Sequence, residues 1–439
     1  MREHDPADSE MSTVRMPTPL HDLKRLFKRS PRRKTLKIIP HSAAFFIFLW
    51  ALSLVFPAIG RSKQNLPCLA GIGPADALIV ADSDGRILYT HHEKNPCIPA
   101  STLKVLTALA AIHHLGAAYR FPTEFYTDSG QNLKVKGFGD PLLVSEIWRD
   151  IAETISKKIS ALNDLVLDDT YFSRDIPIPG RKDSTNPYDA PVGALCANFN
   201  TVDFDRDERG KIVSAESQTP LTPLAATKIQ KLGLKRGRYT FSHDQREATR
   251  YAGEILFHFL KERHVKIRGT IRLGGVAPTD TLIYTYRSKF SLEASLQKML
   301  EYSNNFMANQ ILLVTGARIH GPPATLAKGI DAVSGFAKQE LRLQDIKIAE
   351  GSGISRKNRL SALDMLTILK KFRPYRHILT HHDGVSYKTG SLRGIRTRVG
   401  YVEDSSDKFY YFVIFLNQGG PDIHAVMKCV TQTLSKRPD

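Results

Sequence analysis

Ser101-Thr102-Leu103-Lys104 places a hydroxyl and an amine three residues apart, a spacing that suits acyl transfer if the two side chains meet. A serine hydroxyl is a weak nucleophile and needs a base. On a helix, positions i and i+3 share a face, so Lys104 comes beside Ser101. To take a proton the amine must be neutral, and burial plus a neighbouring positive charge drive a lysine towards that state. Lys388, in Lys388-Thr389-Gly390, is the candidate for the second charge. Ser303-Asn304-Asn305 offers a hydroxyl to relay a proton to a leaving group and an amide, Asn305, to hold a substrate carbonyl. Lys388 and Thr389 suit a substrate carboxylate, and Gly390 lets an extended backbone approach closely. The N–H groups of Ser101 and Ser391 are the candidate donors to an oxyanion.

Taken singly, each motif is weak. S-x-x-K arises about once or twice by chance in a chain of this composition, and Ser295-Leu296-Gln297-Lys298 and Ser405-Ser406-Asp407-Lys408 match it too. They fail on context: Ser295 lies inside an amphipathic helical pattern and Ser405 in a polar turn between strand patterns. Alone, Ser303-Asn304-Asn305 reads as a helix cap, Ser184-Thr185-Asn186 is a decoy of the same form in a turn-rich loop, and Lys388-Thr389-Gly390 reads as a charged edge strand. The order of the three, each in its proper context, carries the argument.

The elements that must position these residues are legible as patterns. Ala77-Leu78-Ile79-Val80 and Arg86-Ile87-Leu88-Tyr89 flank Asp82-Ser83-Asp84-Gly85, a strong hairpin signal. After Pro99-Ala100-Ser101 the apolar spacing of Leu103, Leu106, Leu109 and Ile112 predicts a helix closed by Gly116. Residues 124–285 change character to short β-like runs and turn-rich loops, with one clear helix over 246–263 and a strand over 265–271. Long helices return over 291–302, 306–319 and 324–341. Another begins at Ser361, whose hydroxyl suits an N-cap accepting from the N–H of Asp364. Strands over 385–392, 395–402 and 409–416 and a helix over 421–434 close the chain. Strands at both ends with helices between predict one antiparallel sheet built from both termini.

Length allows two or three domains, and 42% hydrophobic with 24% charged residues is ordinary for a globular chain of 439 residues. The net charge of +18 is uneven: residues 1–63 carry 12 Lys+Arg against 5 Asp+Glu. No basic run with interleaved aromatics follows residue 63, which argues against a nucleic-acid partner and for an anionic polymer or membrane surface. The basic cluster from Lys24 to Lys37 runs into the apolar stretch 43–59, the form of an export signal or membrane anchor. Ala58-Ile59-Gly60 suits cleavage after Gly60, the long basic lead leaves an uncleaved inner-membrane anchor open, and Met11 or Met16 are alternative starts. Positive charge ahead of the span puts the following residues outside the cytoplasm. All four cysteines (Cys68, Cys97, Cys196, Cys429) follow it and allow three disulfide pairings; Cys68 with Cys97 is favoured because both flank the early strands. No histidine or cysteine set has metal-ligand spacing, so neither metal nor cofactor is expected.

On these motifs the chain resembles the D-alanyl-D-alanine carboxypeptidase/endopeptidase family of the penicillin-binding protein 4 type, peptidase family S13. The resemblance covers about residues 76–435 and extends to Gly137-Phe138-Gly139-Asp140-Pro141, Leu167-Asp168-Asp169-Thr170-Tyr171-Phe172, Ala190-Pro191-Val192-Gly193-Ala194, Asn198-Phe199-Asn200-Thr201 and Gly351-Ser352-Gly353-Ile354-Ser355-Arg356. Phe138 stands where the family has glycine and Asn304 where aspartate is frequent. The resemblance implies an α+β, β-lactamase/DD-peptidase-like transpeptidase fold, an antiparallel sheet flanked by helices, with a strand-rich inserted domain. The expected division is a basic segment with signal or anchor (1–66), a catalytic domain (67–123 and 286–439) and an insertion (124–285) shorter than in the best-known members. It further implies Ser101, Lys104, Ser303 and Lys388 as catalytic residues, Asn305, Thr389, Gly390 and Ser391 as substrate-binding residues, peptidoglycan stem peptides as substrate, β-lactams as inhibitors and a periplasmic location. A β-lactamase or esterase on the same fold, or a non-catalytic wall-binding scaffold, are the rival readings; the long insertion argues against the first and the intact motifs against the second.

Overall fold

The computed structural model describes residues 71–403 and 409–435. The basic N-terminal segment with its apolar stretch 43–59, the alternative start methionines, Cys68 and the Ser405 motif lie outside the described residues.

The chain opens with the hairpin β1 (Ala77–Ala81) and β2 (Ile87–His91), whose turn rests on Asp82 Oδ1 accepting from the N–H groups of Asp84 and Arg86. A 3-10 turn, Ala100–Leu103, leads into α1 (Lys104–Leu115). There follow β3 (Pro122–Thr127), β4 (Leu133–Gly137), α2 (Ser145–Ser156), β5 (Ala161–Leu162) and β6 (Leu165–Asp168). Next come β7 (Val202–Arg206), β8 (Ile212–Ser214), α3 (Pro223–Leu232), β9 (Gly237–Tyr239), α4 (Gln245–Glu262), β10 (Lys266–Ile267), β11 (Ile271–Leu273) and β12 (Thr281–Arg287). The helices α5 (Leu292–Glu301), α6 (Asn305–His320), α7 (Leu326–Glu340) and α8 (Ala362–Phe372) precede β13 (Thr380–His382), β14 (Val385–Leu392), β15 (Ile395–Glu403), β16 (Phe409–Leu416) and α9 (Ile423–Ser435).

The sheet expected from both ends of the chain is present, in the order β13-β14-β15-β16-β1-β2. Ala77 pairs with Phe415 and Ala81 with Tyr411, so the first strand adds antiparallel to the last. β16 is apolar throughout because both its faces are covered. Phe412, Ile414 and Leu416 join Leu78 and Val80 beneath Val426, Met427 and Val430 of α9, while Val413 and Phe415 join Ile79 on the side of α1 and α8. Each such side chain contributes roughly 1.5–3 kcal/mol by leaving water. α1 is buried along Lys104 to Ile112, enclosed by α5, α6, α7 and α8; its small residues Ala108, Ala110 and Ala111 let neighbours approach. Ser361 caps α8 as expected, accepting from Asp364 N–H at 3.0 Å, and the Asp364 carboxylate answers by accepting the Ser361 N–H.

Between α1 and α5 lies a second, five-stranded sheet, β11-β6-β4-β3-β12. It is mixed, with β4 and β6 parallel and β3 antiparallel to both β4 and β12. The region carries more helix than the sequence pattern suggested. α2 buries Ile147, Trp148, Ile151, Ala152 and Ile155 against α4; the apolar Leu142-Leu143-Val144 just ahead of it blurs the helical period. α3 is short and buries only Ala225 and Ile229, so its pattern is faint. The single strand expected over 265–271 is two: β10 pairs with β5 and β11 with β6, and the chain bends between them where Gly269 donates to Asn163 O.

The favoured Cys68–Cys97 disulfide is corrected. Cys97 is a free, buried thiol, as is Cys196, whereas Cys429 is disulfide-bonded. Cys97 lies under the first strand with Sγ directed to Ala75 O, and burial pushes its pKa up to about 12. Among the described residues no helix is long and apolar enough to cross a membrane.

Candidate active site

Ser101 stands in the 3-10 turn that precedes α1, one step short of the regular helix the spacing predicted. The tighter turn keeps the i, i+3 relation, and Lys104 Nζ lies 3.0 Å from Ser101 Oγ. Ala100 takes φ 47°, a conformation costly for a residue with a Cβ. The surroundings hold it there: Thr397 Oγ1 donates to Pro99 O at 2.8 Å. A Cβ on Gly353 would meet Ala100 O at 1.8 Å, so only glycine admits the turn.

Lys104 is fully buried. Its Nζ contacts three oxygens, Ser101 Oγ, Asn305 Oδ1 at 2.8 Å and Ser352 O at 2.7 Å. Burial first, and then the Lys388 ammonium, hold its pKa well below the ordinary 10.5; Glu350 opposes them. A neutral amine keeps two N–H groups and one lone pair. Asn305 and Ser352 can only accept, so the lone pair is left for the Ser101 hydroxyl. That is the geometry of a base.

Ser303 sits between α5 and α6 with φ 52°. Its Oγ accepts from Lys388 Nζ at 2.9 Å, and the same ammonium reaches Thr389 O at 2.8 Å. Lys388 is buried, and burial lowers its pKa to about 7. Asn304 does what the cap reading of this segment says, accepting from Met307 N–H at 2.9 Å; an asparagine serves there as well as an aspartate. Asn305 gives its oxygen to Lys104, and its Nδ2 has no partner among the described residues.

β14 carries Thr389, Gly390 and Ser391 along a strand edge that β13 leaves open, because β13 pairs only with residues 385–387. Gly390 backs onto the 3-10 turn, where an added Cβ would lie 2.8 Å from Ser101 N and 2.3 Å from Thr397 Oγ1. In a two-residue hairpin the flanking residues, here Leu392 and Ile395, form the hydrogen-bonded pair. Alternation then turns the Ser391 N–H away from β15 and towards the open edge. Ser101, Lys104, Ser303, Asn305, Lys388 and Gly390 thus meet at one place; Thr389 and Ser391 border it. The S-x-x-K decoy at Ser295 is a buried residue of α5 whose hydroxyl bonds Ser291 O.

Sequence reasoning missed Glu350. This fully buried carboxylate accepts from the N–H groups of Ser352, Gly353 and Ser355, the Ser352 hydroxyl and the amides of Asn309 and Asn358. It shapes the loop that puts Ser352 O on Lys104. The signal was present, an acid directly ahead of Gly351-Ser352-Gly353, but such a residue is indistinguishable from a helix cap until its partners are known.

The sequence matches the D-Ala-D-Ala carboxypeptidase 3 (S13) family over residues 72–236 and 235–382. It is 25% identical to "D-alanyl-D-alanine carboxypeptidase DacB" of Haemophilus influenzae, over 87% of this chain and 93% of that protein. It is 24% identical to "D-alanyl-D-alanine carboxypeptidase" of Actinomadura sp., over 83% of this chain and 82% of that one. The fold is similar to the crystal structure of penicillin binding protein 4 (dacB) from Haemophilus influenzae, with TM-score 0.64 and 20% identity over 83% of this chain and 97% of that one. A structure of that protein complexed with a β-lactam matches with TM-score 0.60 and 20% identity, over 84% and 98%. The chain belongs to the D-Ala-D-Ala carboxypeptidase 3 (S13) family.

Proposed function

We propose that this serine DD-peptidase cleaves peptidoglycan stem peptides through an acyl-enzyme on Ser101. The observation that carries the assignment of residues is the buried Lys104 amine bonded at once to Ser101 Oγ and Asn305 Oδ1. Ser101 Oγ attacks the carbonyl carbon between two D-alanines and its proton passes to Lys104 Nζ. The Ser101 and Ser391 N–H groups stabilise the oxyanion. As the C–N bond breaks, Ser303 Oγ gives its proton to the leaving amine and is resupplied from Lys388 Nζ, whose pKa of about 7 makes it a competent acid at neutral pH. Asn305 Nδ2 holds the substrate's amide oxygen, and Thr389 and Gly390 receive its C-terminal end. Water then attacks the ester carbonyl and releases Ser101.

A β-lactam offers the same carbonyl in a ring, so it acylates Ser101 and its leaving group stays tethered. The relatives' names and the β-lactam complex of the Haemophilus influenzae protein support that reading. Residues 124–285 form an inserted domain between the two parts of the catalytic one, 67–123 and 286–439; the second sheet between α1 and α5 supports the division. A cell-wall substrate requires export, and the basic flank ahead of the apolar stretch 43–59 supplies a signal or anchor.

The test combines a labelled penicillin with mass spectrometry of muropeptides. Purified protein should take up the label at Ser101 and shorten pentapeptides by one D-alanine, and S101A should do neither. Label retained by S101A would refute the assignment.

A further inference from the structure

Three consecutive residues ahead of the nucleophile are each tied to a different part of the fold. Cys97 exchanges both backbone hydrogen bonds with Leu360, just ahead of α8, at 3.0 and 3.1 Å. Ile98 donates its N–H to Asn417 Oδ1 at 2.6 Å, and its C=O accepts from Asn417 Nδ2 at 3.1 Å. Pro99 O accepts from Thr397 Oγ1 at 2.8 Å. β16 ends at Leu416. The Asn417 amide, with a donor and an acceptor in one plane, therefore does for Ile98 what a neighbouring strand would do. Asn417 is itself held: its N–H goes to Oδ1 of the buried Asp76 at 2.6 Å, and Asp76 Oδ2 accepts the Gly73 N–H at 2.9 Å.

The next residue is Ala100, at φ 47°. The left-handed conformation crowds a Cβ against the backbone, so an alanine free to relax leaves it. Pro99 cannot take up the change, because its ring fixes φ, here at −75°. With residues 97, 98 and 99 tied down, the chain turns at Ala100. That turn sets the direction of Ser101. Ser101 N lies 2.8 Å from the position of an added Cβ on Gly390, and Ser101 Oγ lies 3.0 Å from Lys104 Nζ. An Ala100 relaxed to negative φ would swing both away from the pocket.

We propose that Asn417 is a positioning residue for acyl transfer: its two bonds to Ile98, with the Thr397 bond to Pro99, hold Ala100 in the left-handed conformation that aims Ser101 Oγ and N–H. This role rests on the reading of Ser101 as nucleophile. It makes a demand that a general loss of stability does not. Glycine populates positive φ about as readily as negative φ, so a glycine at position 100 keeps the turn without the clamp. Asn417 should therefore matter far less once residue 100 lacks a Cβ.

The experiment follows acylation by a labelled penicillin in wild type, N417A, A100G and N417A/A100G. Stopped-flow traces over a range of penicillin concentrations separate initial binding from the acylation step, and urea unfolding shows each variant folded. N417A should acylate about 10- to 30-fold more slowly, the factor by which an alanine disfavours the left-handed region, with initial binding within about threefold of wild type. A100G should stay within about threefold, and N417A/A100G within about threefold of A100G, a non-additive cycle. T397V, an isosteric change that removes only the Pro99 bond, should show a smaller loss with the same rescue by A100G, and it keeps the test open if N417A does not fold. N417A acylating within about twofold of wild type, or losing the same factor with and without A100G, overturns the proposal. A crystal structure of N417A is the second readout and should show Ala100 at negative φ. If wild type takes up no penicillin, the peptidase reading falls and that structure decides alone: a relaxed Ala100 upholds the clamp, and an Ala100 still near φ 47° overturns it.

Discussion

Two lysines of one site do opposite work because their surroundings differ. Lys104 is pressed towards its neutral form by burial and then by Lys388. Lys388 is lowered to about 7 by burial, so around neutral pH it still carries a proton to give. Acylation needs Lys104 deprotonated, a condition lost as pH falls through its pKa. It also needs Lys388 protonated, a condition lost as pH rises through about 7. A bell-shaped profile of penicillin acylation should result, its alkaline limb near neutrality. K388R keeps the charge at every accessible pH. Because arginine cannot pass that proton on to Ser303, it should abolish the alkaline limb and slow acylation by roughly 100-fold or more; stopped-flow acylation from pH 5 to 10 checks this. An alkaline limb unmoved in K388R would assign that limb to another group.

At the scale of elements, the site is a junction of a strand edge, a 3-10 turn and a helix start, and close approach is its requirement. Gly390 and the turn at Ser101 are in contact, with no room for a side chain between them. G390A should therefore fold, with near-native circular dichroism, yet acylate about 100-fold more slowly, because displacing Ser101 by a fraction of an ångström misaligns attack. A rate within threefold of wild type would show that the contact yields. The sequence signalled these elements well: the β1–β2 hairpin, α1, α5 to α8 and the last three strands stand within a few residues of their patterns. It signalled the inserted region poorly. α2 and α3 went unseen because one follows an apolar run and the other buries little, and β10 and β11 merged because their partners, β5 and β6, are invisible from the local chain.

Across the whole molecule, Glu350 ties α6, through Asn309, to the loop over residues 351–355 and to Asn358 ahead of α8. Every donor around it is an N–H or O–H group, so a neutral amide there would set N–H against N–H. E350Q should destabilise the fold by roughly 2–4 kcal/mol, read by urea unfolding. It should also lower acylation, since Ser352 O no longer holds Lys104 in place. Stability within about 0.5 kcal/mol of wild type would contradict the role given to this carboxylate.

The sequence by itself determined which groups take part: a serine with a lysine three residues on, a second serine ahead of Asn305, and a third motif on a strand, each in an element readable from apolar period and turn chemistry. Those are local properties, carried by side-chain type and spacing. Only the tertiary structure decided that Lys104 meets Asn305 and Ser352, that Glu350 organises the loop between them, and that Cys97 stays a free thiol. Burial and pairing across hundreds of residues depend on which surfaces meet, and no window of the chain contains both partners.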